Sequence, residues 1–430
     1  MGNKIIIGCM LLGALSVGAQ EKPVTATDYK QKVLEYSRQI KQSAEERIAM
    51  QHAIKAAKTA FFPAVDFSGN YQYRINKYDL DFGPGMAVEM DHNTYSLGAS
   101  VSQPVYAGGQ IYNNYKAAQI QGQIASEAEV LTTDNVLYAA DLNYWSAAAR
   151  KGMYDVMCQY VDIVQQLANV LTTRFNDGQI SKTDLLQVQS RLKEAELNKS
   201  TAYKDYQIAL QNLNVLMGVP PMTPVEIADA ITTELPLPVH IGEEAALQNR
   251  PDFTISKLNI EYQRRQINLS KAKYNPTLAI GFQGTWGTPM LNVKGSDQLW
   301  TPAVFASLKI PLFRWGARFK EVNSQKAILR SKEYAMDYTR DKISQEVANS
   351  WTSLSENTKQ IDVAEEACKI AEENLDLNTF SYNEGKLPIL DVLSAQLSWI
   401  QSYSNLIQTW YQQKASLAQY NKAVGIRRLK

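Results

Sequence analysis

The sequence predicts an α+β fold that consists mainly of long α-helices, with four β-strands and an internal duplication. Three observations predict it. Residues 105–219 and 312–387 contain no proline, four other segments alternate between apolar and polar residues, and many residues recur 207 positions later, as Pro104 does at Pro311. Because proline costs about 3 kcal/mol inside a helix, the proline-free stretches are where long helices can form.

The composition excludes several classes of function. The 430 residues carry 44 Lys and Arg against 43 Asp and Glu, so no electrostatic field attracts nucleic acid. The three histidines (His52, His92 and His240) share no metal-ligand spacing, and neither a phosphate-binding glycine loop nor a nucleophile elbow is present. We therefore expect no metal, no cofactor and no enzymatic activity.

Residues 1–19 are predicted to be a cleaved signal peptide. The apolar run from Ile5 to Leu15 follows one lysine and precedes the small residues of 17–19. It is shorter than the roughly 20 residues that span a bilayer. Cys9 lies inside this run, so lipidation is not expected. An exported chain can form disulfides, but nothing in the sequence pairs Cys158 with Cys368, and we expect two free, buried thiols.

Four segments have the alternation of β-strands with one apolar and one polar face: 64–74, 95–103, 278–286 and 304–310. A strand of a membrane barrel needs about 9–11 residues of this pattern, often with aromatic residues at its ends. Two solvent-exposed hairpins on a soluble domain remain an alternative. Residues 79–93 and 287–298, rich in Gly, Asp and Asn, are predicted to be the hairpin loops.

Each hairpin is followed by a long helix, predicted at 109–173 and 316–380. Each of these ranges would measure roughly 100 Å at about 1.5 Å per residue. Turns at 175–178 and 382–385 then lead into returning helices. The returning helices are predicted at 181–217 and 387–423, and shorter helices at 27–62 and 245–275 are predicted to stack on them.

The returning helices carry apolar seams typical of coiled coils. In the first, Leu185, Val188 and Leu192 follow steps of three and four; in the second, Leu393 and Leu397 begin a shifted register. The predicted organisation is a signal peptide, a first repeat, a linker at the equator of the molecule, and a second repeat. Their ranges are 1–19, 20–218, 219–244 and 245–430.

Four strands cannot close a barrel, because about eight is the practical minimum. An open sheet in lipid would leave the hydrogen-bonding groups of its edges unsatisfied. The chain is therefore expected to oligomerise, with its four strands contributing to a shared barrel and their polar face lining a water-filled lumen. That face includes Asp66, Asn70, Gln72, Arg74, Gln283 and Lys309.

Several short motifs, repeated in order, resemble those of the TolC-like outer-membrane efflux protein family. They are Ala60–Ala64, Gln103–Gly109, Arg250–Asp252, Lys273–Thr277, Ile310–Gly316, Tyr382–Gly385 and Asp391–Gln396. The resemblance covers nearly all of the chain after the signal peptide. It implies a homotrimer with a β-barrel in outer-membrane lipid and a helical barrel that crosses the periplasm. It further implies an exit duct that joins a periplasmic adaptor protein and an inner-membrane transporter.

The resemblance also implies roles for the two helical turns. They would form the periplasmic entrance, where Tyr382 would bond to Asp184 across neighbouring helix pairs, with Thr183 nearby, and Asp391 would form a ring of carboxylates. The tips that would contact the adaptor comprise Phe175, Gly178, Gln179, Tyr382, Gly385 and Lys386. Two residues depart from the family pattern. Leu387 stands where members of the family can have a basic gate residue, and Ser394 where they can have a second ring of acidic residues.

Other interpretations of the same residues remain open. Ser181–Asp184 is a capping-box pattern, and an acidic residue in the first turn of a helix is favoured by the helix dipole. Asp184 and Asp391 could pair as an acid and a base, but no buried or histidine partner accompanies them. A structural periplasmic coiled-coil protein without a pore would explain the helices, though not the alternating strands. The sequence does not select among drugs, metal ions and polypeptides as the substrate, nor does it identify the pump or the resting state of the entrance.

Overall fold

The computed structural model describes residues 23–76, 79–81, 83, 87–289, 293–294 and 296–426. The predicted signal peptide lies outside this part of the chain. The helices are α1 (Ala26–Tyr36), α2 (Arg38–Thr59), α3 (Gln110–Asn176), α4 (Lys182–Met217), α5 (Glu243–Asn249), α6 (Pro251–Ala272), α7 (Ala317–Asn383) and α8 (Ile389–Ala423). The strands are β1 (Ala64–Tyr73), β2 (Asp79–Asp81), β3 (Ala87–Glu89), β4 (Asn93–Ala107), β5 (Thr277–Gly287) and β6 (Leu299–Lys309).

The internal duplication is visible in the backbone. The long helices α3 and α7 have 67 residues each, and each begins after a glycine with positive φ, Gly109 or Gly316. The returning helices α4 and α8 end beside two more such glycines, Gly218 and Gly425. Both pairs of glycines are separated by the 207 residues found in the sequence. A left-handed backbone recurs at the same places because glycine adopts it without a steric penalty.

The four long strands form one antiparallel sheet in the order β1-β4-β5-β6. The register places apolar residues of neighbouring strands opposite one another. One such row across the four strands is Val65, Val101, Phe282 and Val304. Polar residues align in the same way, as in the row Asp66, Ser100 and Gln283. The sheet therefore has one apolar and one polar face, as the alternation predicts.

Two helices predicted to be continuous are interrupted. The first breaks at Ser37, which has an extended ψ of 116° and ends α1 while its Oγ accepts the N–H of Ile40 at the start of α2. The second breaks at Arg250, because the following Pro251 disfavours a helical conformation in the residue before it. Serine and the residue before proline are both common at helix boundaries.

The loop predicted at 79–93 contains a short hairpin of its own. β2 and β3 pair as a two-stranded antiparallel sheet, and Met90 bridges to Val293 of the other predicted loop. The parts of these two loops that the structure describes are therefore joined at the same end of the four-stranded sheet. That end is opposite to the one that leads into α3 and α7.

The helices pack side by side below the sheet. α3 contacts α2, α4, α6 and α8, while α7 contacts α6 and α8. In α4 the predicted seam residues Leu185, Val188 and Leu192 are buried. In α8 the predicted seam is wrong at Leu397, which is exposed, because the helix instead turns Val392 and Trp399 towards the core. No helix among the described residues is long and apolar enough to span a bilayer.

The linker between the repeats packs against the middle of the helices. Tyr144 on α3 donates a hydrogen bond of 2.6 Å to Asp229 of the linker. The ammonium group of Lys414 on α8 is fully buried between the rings of Trp145 and Trp410 and donates to the carbonyl oxygen of Thr233. These contacts hold the linker against α3 and α8.

Both cysteines that follow the predicted signal peptide are free thiols, as expected. Cys368 is buried, and burial raises its pKa to about 11. Cys158 is only half-buried, which corrects the expectation of two buried thiols. It lies on the long helix α3, where only part of the surface faces the neighbouring helices.

Candidate functional site: the helical tips

The two turns that join α3 to α4 and α7 to α8 have the same hydrogen-bonded geometry. At the first, Gly178 donates to Phe175 O at 2.9 Å and Gln179 to Arg174 O at 2.8 Å. At the second, Gly385 donates to Tyr382 O at 2.9 Å and Lys386 to Ser381 O at 2.9 Å. This is the Schellman pattern, which satisfies the last carbonyl groups of a helix. Each long helix therefore ends in a tight, defined turn.

An apolar cluster holds the two turns together. Tyr382 is buried beside Ile389 and Leu171, and the half-buried Phe175 packs against the same cluster. Phe175 and Tyr382 are equivalent positions of the two repeats, 207 residues apart. The two helical hairpins, α3–α4 and α7–α8, thus meet at their tips through residues from both.

Arg174 makes the polar contact between the hairpins. Its guanidinium carbon lies 5.2 Å from the centroid of the Tyr382 ring, and its Nη2 donates to Asn383 Oδ1 at 3.3 Å. A cation over an aromatic face is attracted by the ring quadrupole. The equivalent residue of the second repeat is Ser381, so this contact breaks the internal symmetry. Sequence reasoning missed Arg174; the signal available was a basic residue in the last turn of a helix.

The predicted gate residues lie close to these turns but are not all joined to one another. Asp184 is half-buried, and its backbone N–H donates to Ser181 Oγ at 3.2 Å, as the capping-box interpretation expects. Thr183 and Asp391 are exposed in the first turns of α4 and α8. Within the described part of this single chain, no hydrogen bond joins Tyr382 to Asp184. That predicted bond stays a prediction for the assembled protein.

The remaining predicted tip residues point to solvent. Gly178, Gln179, Gly385 and Lys386 are all exposed, and a Cβ added to either glycine would meet no atom within 4 Å. The surface of the tips is therefore free in this chain. It is composed of the turn backbone and polar side chains such as Gln179 and Lys386, and it lies next to the apolar cluster.

The three histidines lie in different parts of the structure. His92 stacks on Tyr73 at the sheet, with Nδ1 2.7 Å from Arg74 O, and His240 of the linker contacts the ring of Trp351. His52 is exposed on α2. Among the described residues, no group of three or more His, Cys, Asp or Glu could hold a metal ion.

Comparison with protein families gives a match over both repeats. The model of the outer membrane efflux protein family matches residues 30–219 and 244–426. The chain belongs to the outer membrane efflux protein family. It is thus an outer-membrane protein that extends into the periplasm and serves as an exit duct in efflux or secretion.

Individual relatives align with this efflux protein over most of its length. Outer membrane protein TolC of Escherichia coli is 21% identical, with 98% of this chain and 85% of the relative covered. Outer membrane efflux protein BepC of Brucella suis is 20% identical, with 83% of this chain and 75% of the relative covered. The outer membrane channel CmeC of Campylobacter jejuni has the same fold, with a TM-score of 0.80, 15% identity, and coverage of 93% of this chain and 85% of that chain.

These comparisons confirm the resemblance found in the sequence and the mainly helical fold with a duplicated architecture. The family consists of transport ducts, and the comparisons offer no support for a structural coiled-coil protein without a pore.

Proposed function

We propose that this efflux protein works as a homotrimer, in which three chains contribute four strands each to one β-barrel and their helices continue as a tunnel into the periplasm. The observation that carries the proposal is the four-stranded sheet. Its order leaves β1 and β6 as edges, and β1 is exposed along its whole length. An edge left unpaired in lipid is costly, and pairing β6 of one chain with β1 of the next satisfies both.

The two faces of the sheet support a water-filled lumen. The apolar face carries Phe67, Trp286 and Trp300, all exposed in one chain, and suits the hydrocarbon of a bilayer. The opposite face carries Asp66, Asn70 and Gln283, which suit contact with water. Substrates would therefore pass along a polar wall.

At the other end, the helical tips form the entrance. We assign the gate to Thr183, Asp184, Tyr382 and Asp391, and add Arg174 because it joins the two hairpins. Movement of α7–α8 away from α3–α4 would widen the entrance and would have to break the Arg174 contacts. The closed gate is thus held by a few weak polar contacts next to an apolar core. Contacts of this strength can be broken when the entrance opens.

The residues of the two tips are the proposed contact for a periplasmic adaptor, which links the duct to an inner-membrane transporter. They comprise Phe175, Gly178, Gln179, Tyr382, Gly385 and Lys386. Relatives at similar identity include Proteases secretion protein PrtF of Dickeya chrysanthemi, which covers 87% of this chain. Efflux and polypeptide secretion both fit a duct of this kind, since the inner-membrane partner would select the substrate.

Two measurements on the purified, detergent-extracted protein test the proposal. Light scattering of the protein–detergent complex should give a protein mass of three chains, and planar bilayers should show small, discrete conductance steps. A monomer that gives no conductance steps would contradict the proposal. A folded trimer that is silent until the gate is mutated would support a sealed entrance.

A further inference from the structure

Trp315 has a backbone conformation that tryptophan rarely adopts. Its φ is 48°, and among the described residues it is the single non-glycine residue with positive φ. The equivalent position of the first repeat, 207 residues earlier, is Gly108, with φ of 63°. The same turn thus precedes both long helices, but only the first repeat fills it with the residue that adopts it without strain. A strained residue that persists points to a role for its side chain.

The side chain of Trp315 is not held by a protein core. It is 87% exposed, and the neighbouring Leu312 and Phe313 are 90% and 72% exposed. The rings of Phe313 and Trp315 pack edge to face, with centroids 5.0 Å apart. Phe319, on the first turn of α7, is also exposed. These four side chains, Leu312, Phe313, Trp315 and Phe319, form what we call the apolar wedge.

Basic residues accompany the wedge along the chain. Arg314 and Arg318 lie between its members and Lys320 directly follows the last one. All three are exposed, and Arg314 also stacks over Tyr274 at 5.7 Å. The nearest acid along the chain, Glu321, is bonded to Tyr274 at 2.9 Å and Lys273 at 3.4 Å. The corresponding stretch of the first repeat, 105–113, has no charged residue. Aromatic and basic side chains in one exposed segment are typical of a membrane interface.

The position of the wedge selects one side of the membrane. It lies where β6 ends and α7 begins, at the end of the sheet opposite to the described parts of the long hairpin loops. Barrels of the outer membrane have their longer loops outside the cell. Given the proposed membrane position of the sheet, this end meets the periplasmic leaflet.

We propose that the wedge anchors the duct in the phospholipid of the periplasmic leaflet, with Trp315 at the level of the headgroups and the basic side chains on lipid phosphates. This inference rests on the proposed function. A neighbouring chain is the other candidate occupant. Lipid is favoured because three cations lie beside the apolar side chains of this segment, and the phosphate layer of a membrane accommodates both.

The test is depth-dependent quenching of tryptophan fluorescence in the full trimer, reconstituted into phosphatidylethanolamine and phosphatidylglycerol vesicles. One set carries bromine on the acyl chains near the headgroup, and another near the chain ends. The signal of Trp315 is the difference between wild type and Trp315→Gly, a variant whose backbone suits the turn. We expect this signal to be quenched several-fold more by the shallow bromines than by the deep ones.

Two other tryptophans provide matched controls. Trp300, on the apolar face of β6, should be quenched in the same difference experiment with Trp300→Phe, because that face meets lipid. Trp145, buried in the helical middle, should not be quenched by either lipid in a Trp145→Phe comparison. Quenching of Trp300 without quenching of Trp315 would overturn the anchor alone. Absence of quenching at Trp300 would overturn the proposed position of the sheet itself.

A second readout separates anchoring from packing. In detergent, Trp315→Gly should unfold at the same or a higher temperature than wild type, because glycine relieves the left-handed strain. A lower melting temperature would show that Trp315 packs within the protein, which would overturn the anchor.

Discussion

The guanidinium group of Arg174 lies over the ring of Tyr382, with 5.2 Å between the guanidinium carbon and the ring centroid. The two residues belong to the last turns of α3 and α7, so this contact joins the two repeats at the proposed entrance. Arg174 also bonds to Asn383 of the same helix as Tyr382, so separating the two hairpins would break both contacts of the arginine. The contact is therefore a restraint on the separation of the two hairpins.

We expect Arg174→Gln to increase the conductance of the pore. A cation–π contact at an exposed site contributes about 0.5–1 kcal/mol, so its loss should raise the population of the open entrance by roughly two- to fivefold. Single-channel recordings in planar bilayers measure this change as larger or longer openings. Lys182→Gln removes a charge at the same tip without contacting Tyr382 and serves as the control. Equal conductance in the arginine and lysine variants would contradict the restraint.

The proposed bond between Tyr382 and Asp184 can be tested separately. Tyr382→Phe keeps the ring under Arg174 and removes only the hydroxyl group, while Asp184→Ala removes the acceptor. If the bond forms in the assembled protein, the double variant should conduct more than wild type, and each single variant should give most of that gain. Unchanged conductance in the double variant would exclude the bond. An increase confined to Asp184→Ala would instead indicate a carboxylate that acts alone.

Much of the fold could be predicted from the sequence because its signals are regular over long distances. The lengths of α3 and α7 follow from the absence of proline, and the faces of the sheet follow from strict alternation that the register preserves. The glycines that recur in the duplication mark the helix boundaries, since they are where the backbone becomes left-handed. These features need no knowledge of tertiary contacts.

The candidate site was less predictable for a physical reason. Arg174 contacts Tyr382 across 208 positions, and only the packing of two hairpins brings them together. The break at Ser37 was missed because serine is tolerated inside a helix as well as at its start. The exposure of Leu397 was missed because two faces of α8 are apolar, and only the neighbouring helices decide which one is buried.

Two glycines with almost the same φ should differ in their tolerance of alanine. Gly385 (φ 73°) has open space around its missing Cβ, whereas a Cβ on Gly218 (φ 78°) would lie 2.2 Å from the ring of Tyr36. We expect Gly385→Ala to cost about 1 kcal/mol for the left-handed backbone alone, and Gly218→Ala to cost at least about 1–3 kcal/mol more for the clash. Thermal unfolding followed by circular dichroism measures both. Similar melting temperatures for the two variants would show that the ring of Tyr36 moves aside freely.

The buried Lys414 should make the stability of the protein depend on pH in the alkaline range. Burial between Trp145 and Trp410 lowers the pKa of Lys414 from 10.5 to about 8, although Glu234 partly offsets this shift. Below pH 8 the lysine is protonated in both the folded and the unfolded chain. Between pH 8 and 10.5 the unfolded chain keeps the proton and the folded chain releases it. The free energy of unfolding should therefore rise with pH across this window, by up to roughly 3 kcal/mol.

Lys414→Met isolates this contribution, because buried tyrosines and other titrating groups are present in both proteins. The difference in unfolding free energy between wild type and Lys414→Met, measured by urea denaturation in detergent, should shift in favour of wild type as the pH rises from 7 to about 9.5. Lys193→Met, at an exposed position on α4, should leave the pH profile parallel to that of wild type. Parallel profiles for Lys414→Met would mean that the lysine keeps its charge through this range. Its ammonium group would then hold the Thr233 carbonyl, and with it the linker, independently of pH.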